Sequence, residues 1–144
     1  MRKDYSYNKE KGKHTPLLEV LVGTKESRKP VTALVDTGCA PCMSLCKSYI
    51  VEKGLTLMQK MNIEPIPLGV ADGHTINADS YKAICEINGE QKEIEVDVID
   101  PEQFFVEEGS KIGSVIPLLG RGVLDQYDVL FEGKSKKLTF YHPE

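Results

Sequence analysis

Short apolar segments divided by turn residues mark the chain from Thr15 onward. They fall at 17–22, 31–35, 66–70, 84–87, 94–99, 115–119, 129–131 and 138–141, which is the length and spacing of strands rather than of helices. Between them, Asp72-Gly73 and Asn88-Gly89 supply residues that tolerate the positive φ of tight hairpin turns, and Glu132-Gly133 is a weaker version. The pattern predicts a mainly β, antiparallel domain. Two interruptions have helical character: 47–53, with Gly54 as a carboxyl cap, and a short turn over 122–126. The charged run at 90–97 alternates with apolar residues, as in a strand with one face in water. The stretch 101–114, with a proline, paired glutamates and two glycines, reads as a loop or insertion. Residues 1–14 have no long hydrophobic period and are rich in Lys and other polar residues, so they are expected to form a mobile amino-terminal tail. That leaves 15–144 as one domain, without an internal repeat.

Composition narrows the function classes. A chain of 144 residues, 40% hydrophobic and 28% charged, can bury one core without disulfides or metals. Its net charge of −4 supports neither nucleic acid nor anionic lipid as a partner. No segment approaches the roughly 20 apolar residues of a membrane-spanning helix, and no signal peptide is legible. Four cysteines, Cys39, Cys42, Cys46 and Cys85, are too few for a disulfide scaffold at this length. The expectation is a cytoplasmic protein in a reducing compartment.

The chemistry gathers at Val31-Thr32-Ala33-Leu34-Val35-Asp36-Thr37-Gly38. An apolar strand here runs into a carboxylate, a hydroxyl and a glycine. Taken alone, Asp-Thr-Gly reads first as a turn after a strand, since all three residues are common in turns. Further along come Ile116-Pro117-Leu118-Leu119-Gly120-Arg121-Gly122-Val123-Leu124, then Tyr127-Asp128-Val129-Leu130-Phe131, and a closing Lys137-Leu138-Thr139-Phe140-Tyr141. This ordered pair of motifs resembles the retropepsin-like aspartic proteases. In that family the Asp-Thr/Ser-Gly loop carries the catalytic aspartate, and an apolar-apolar-Gly-Arg segment packs beneath it.

The resemblance implies a closed antiparallel acid-protease barrel with a flap hairpin and one or two short helices. It implies an aspartic endopeptidase with Asp36, Thr37 and Gly38 as its catalytic loop, and no metal or cofactor. The stretch 66–76 takes the flap's place in the order, so Ala71, Asp72, Gly73 and His74 are the expected substrate-binding residues; an ordinary hairpin is the alternative. Two carboxylates held about 3 Å apart share one proton, so one acts as base toward water while the other polarises the carbonyl. No second Asp-Thr-Gly or Asp-Ser-Gly occurs, and Asp72-Gly73 and Asp79-Ser80 lack the motif's order. The resemblance therefore implies a homodimer, with a peptide or protein substrate between the flaps.

Some positions depart from the family pattern. Cys39 stands where the family usually has Ala, and Ala40 where viral members carry an acid that pairs with the later arginine, leaving Arg121 to another partner or to solvent. Cys39-x-x-Cys42 also admits a redox pair, or a zinc site with Cys46 and Cys85 or His74, although no βαβ context or second ligand pair accompanies it. Cysteines packed as small apolar residues are the plainer alternative. A catalytically inactive dimeric peptide-binding module of the same fold is the competing functional expectation.

Overall fold

The computed structural model describes residues 2–10, 13–62, 64–69, 75–100 and 116–141. Its elements in chain order begin with β1 (Arg2–Ser6), β2 (Asn8–Glu10), β3 (Lys13–Thr15), β4 (Leu17–Gly23), β5 (Arg28–Val35), β6 (Met43–Cys46) and α1 (Lys47–Lys53). Then follow β7 (Gln59–Lys60), β8 (Ile66–Gly69), β9 (Thr75–Ile87), β10 (Glu90–Ile99), β11 (Leu118–Leu119), α2 (Arg121–Leu124), β12 (Asp128–Glu132) and β13 (Lys137–Tyr141). The mainly β expectation holds, and each predicted strand has a counterpart within the described residues.

Local chemistry explains several elements. Asn88 and Gly89 both take positive φ, 62° and 77°, and join β9 to β10 through a two-residue turn with Ile87 opposite Glu90. Helix α1 ends at Gly54, left-handed at φ 62°, whose N–H returns to the last helical carbonyls. At the β12–β13 connection the left-handed residue is Lys136, at φ 56°, rather than the expected Gly133. A four-residue turn over 133–136 moves the tight bend to its far end.

The main sheet runs β10-β6-β11-β5-β4-β9, and β9 also pairs with β10, so the ladder returns to its starting strand. Strands β7 and β8 add to β9. Two pairings, β10 with β6 and β11 with β5, are parallel, which corrects the expectation of an antiparallel sheet. For the second pairing the cause is that β11 enters between β5 and β6, the strands on either side of the Asp36 loop, and can be antiparallel to only one of them. Strand β6 was not anticipated. All four of its side chains are buried, so it lacks the alternation by which a strand is read from sequence.

One face of this sheet holds the core, with Leu18, Val20, Val22, Val31, Ala33, Met43, Val96 and Leu119 at no more than 1% exposure. Each of these side chains apart from Ala33 contributes on the order of 1.5–3 kcal/mol by leaving water. A second sheet, β1-β13-β12, closes over it with Leu138 and Phe140, and Tyr5 and Tyr127 meet the Phe140 ring edge-on. Here the structure departs from the expected tail. Strand β1 pairs along its whole length with β13, Thr139 donates to Asp4, and Tyr5 donates to Asn88. The legible signal was Tyr5 and Tyr7 alternating with Asp4 and Ser6; both tyrosines pack on the core.

Strands β8 and β9 pair antiparallel, with Gly69 opposite Thr75. Ala71, Asp72, Gly73 and His74, and the 101–114 stretch, lie outside the described residues. No helix among the described residues is long and apolar enough to cross a membrane.

Candidate active site

Strand β5 buries Val31, Ala33 and Val35 and delivers Asp36 at its end, half-buried, with Thr37 and Gly38 exposed beyond it. The ladder runs on past the strand: the Leu34 N–H donates to the Pro117 carbonyl at 2.8 Å, and the Asp36 N–H to Leu119 at 3.0 Å. The Gly38 N–H donates to Asp36 Oδ1 at 2.9 Å, and the Cys39 N–H to the Asp36 carbonyl at 3.2 Å. The carboxylate is thus held by its own turn, one oxygen committed to a backbone amide. A β-carbon on Gly38 would sit 3.2 Å from that oxygen, so glycine leaves the carboxylate its space.

The loop is clamped from below. Successive amides of Gly120, Arg121 and Gly122 donate to the carbonyls of Cys42, Cys39 and Pro41, at 2.9, 2.8 and 3.3 Å. Such approach of backbone to backbone requires missing side chains. A β-carbon on Gly120 would lie 2.1 Å from the Pro41 carbonyl oxygen and 2.6 Å from that of Cys39; one on Gly122 would lie 2.6 Å from Cys42 Sγ. Val123, Leu124 and Tyr127 then anchor the segment in the core. Arg121 is exposed, so it faces solvent, one of the two outcomes expected with Ala at position 40.

The cysteines lie around this clamp. All four are free thiols, and no three His, Cys, Asp or Glu side chains converge as metal ligands among the described residues. Burial raises the Cys39 thiol above its ordinary pKa, the nearby Ser44 hydroxyl counteracts this, Asp36 and Asp97 reinforce it, and Arg121 opposes it. Burial pushes Cys85 up to about 12, with Cys42 and Glu86 adding to the rise. A thiol that resists ionisation is a poor nucleophile, which is the reverse of what a redox pair needs. Alkylation of Cys85 by iodoacetamide at neutral pH should therefore be at least about 100-fold slower in the folded protein than in denaturant. Rapid modification of Cys85 in the native protein, read by peptide mass, would contradict its buried placement.

One charge in the 90–97 run is misread as solvent-facing from sequence. Gln91, Glu93 and Glu95 are exposed, but Asp97 is only 4% exposed, beside Ser80, whose hydroxyl donates to Asp97 Oδ1 at 3.3 Å. Burial raises the Asp97 carboxyl above its usual range, the Ser80 hydrogen bond lowers it, and Glu95 raises it further.

These features define a retropepsin-like fold: a mainly β chain with an Asp-Thr-Gly loop seated on a Gly-Arg-Gly segment. Among solved structures the chain is similar to the EIAV protease complexed with the inhibitor HBY-793, at a TM-score of 0.56 and 17% identity, covering 82% of this chain and 92% of that one. The likeness is one of fold. No protein-family model matches the chain, and no curated protein does.

Proposed function

We propose that the protein is an aspartic endopeptidase of retropepsin type, whose active site forms when two copies pair and bring their Asp36 carboxylates together. The observation that carries this reading is the seating of Asp36: a half-exposed carboxylate, anchored through one oxygen, on a loop fixed by backbone hydrogen bonds to β11 and the Gly120–Gly122 amides. The circuit of strand pairings, read as the family's closed barrel, supports it.

In the pair, the two carboxylates hold one proton between them. The ionised one takes a proton from water as the oxygen attacks the peptide carbonyl, and the protonated one donates to the carbonyl oxygen. Collapse of the tetrahedral intermediate breaks the C–N bond as a proton passes to the leaving nitrogen. Thr37 braces the loop across the twofold axis, and Gly38 keeps the floor open. The β8–β9 hairpin acts as the flap, with Ala71, Asp72, Gly73 and His74 closing over an extended peptide.

Pairing makes a kinetic demand. Below the dimer dissociation constant, hydrolysis rate should rise with about the square of protein concentration, turning linear above it. Dilution series of a cleaved peptide, matched to sedimentation velocity, test this. Undiminished specific activity in a sample that sediments as monomer would exclude the shared site.

A further inference from the structure

Asp97 belongs to a row of side chains that the hydrolytic chemistry leaves unused. Residues two apart in a strand share a face, and directly paired residues on neighbouring strands share it too. Leu34 lies two positions before Asp36, pairs with Leu118, and Leu118 pairs with Ser44. Ser44 pairs with Asp97, and Asp97 with Ser80. The row Leu34, Leu118, Ser44, Asp97, Ser80 therefore runs across the sheet on the Asp36 face, while the adjacent row of Val35, Leu119, Met43 and Val96 points into the core.

Burial deepens along the row. Leu34 and Leu118 are half-buried, whereas Ser44, Asp97 and Ser80 are 6%, 4% and 2% exposed. Cys39 links the two ends, its sulfur 3.8 Å from the Ser44 hydroxyl and its thiol within electrostatic reach of both Asp36 and Asp97. Three strand spacings of about 4.8 Å set Asp97 roughly 14 Å from β5, the span of about four residues of extended peptide.

Among the described residues no cation balances an ionised Asp97: it is in no ion pair with Lys, Arg or His, and the groups that act on it are Ser80 and Glu95, neither a cation. A buried carboxylate facing a ligand's apolar side chain loses hydration without compensation, whereas a cation restores the balance.

We propose that Asp97, between Ser44 and Ser80, is the specificity-determining acid of a substrate subsite that selects a lysine or arginine side chain a few residues from the scissile bond. The assignment rests on the protease reading for the position of the peptide, and its charge preference is measurable by binding alone. The probe is a set of fluorescein-labelled octapeptides of Ala, Val and Leu carrying Lys, norleucine or Glu at each position in turn. Anisotropy and cleavage are followed with the wild-type protein and with Asp97→Asn, which keeps an oxygen for Ser80.

At one position the wild-type protein should bind the Lys peptide about tenfold more tightly than norleucine, and Glu more weakly than either. Asp97→Asn should bring Lys and norleucine to within about twofold of each other. The wild-type comparison needs no variant, so a failure of Asp97→Asn to fold does not shield the proposal. Cleavage without a Lys preference at any position overturns the subsite and leaves the protease reading standing. A Lys preference that depends on Asp97, without cleavage, keeps the subsite and overturns the protease. Neither binding nor cleavage removes both.

Discussion

Asp36→Asn is expected to reduce peptide hydrolysis by about 10³-fold or more while leaving the melting temperature nearly unchanged. The two halves of that result have separate causes. Asparagine keeps an oxygen where Oδ1 accepts the Gly38 N–H at 2.9 Å, so the turn and its backbone bonds to β11 survive. What it cannot do is ionise, and a pair without an ionised member cannot take the proton from the attacking water. Because the substitution would enter both copies of the proposed homodimer, no intact dyad would remain. Labelled-peptide binding should persist. Retained hydrolysis by the folded variant would remove Asp36 from the mechanism; binding with no cleavage in the wild-type protein as well would favour a peptide-binding module on the same fold.

Gly120→Ala is the structural counterpart, expected to destabilise the protein by roughly 3 kcal/mol or more. Gly120 sits at φ −105° and ψ −174°, extended backbone open to any residue, so the cost is steric. Its new methyl would fall 2.1 Å and 2.6 Å from the Pro41 and Cys39 carbonyl oxygens. Those are backbone atoms within the Asp36 loop, so relief requires separating the loop from its clamp and losing the hydrogen bonds of Gly120, Arg121 and Gly122. Gly133→Ala is the control, since nothing lies within 4 Å of its β-carbon position and it has no positive φ; its cost should stay within about 0.5 kcal/mol. Urea midpoints for the two variants give the comparison. Equal, small losses would mean that the 39–42 loop does not rest on Gly120.

The legibility of this site in the sequence was uneven for identifiable reasons. Asp36-Thr37-Gly38 and Leu118-Leu119-Gly120-Arg121 are contiguous motifs, and the structure joins them through β11 against β5. Strand β6, the partner that completes the seat, is buried on both faces and carries no period to read. Asp97 looked like one more charge on a solvated strand face, because Glu93 and Glu95 precede it at the same alternate positions and both are exposed.

Turn chemistry and period-two patterning are local, and by themselves they determined β4, β5, β8 to β10 and β11 to β13, the Asn88-Gly89 hairpin, the Gly54 cap and the carboxylate-bearing loop. Only the tertiary structure decided which strands are parallel, that β1 is held by β13, that Gly120 must lack a side chain, and that Asp97 is buried on the Asp36 face. Each of these is set by a neighbour far away in the chain, and the exposure of a side chain is a property of what is packed against it rather than of its own hydropathy.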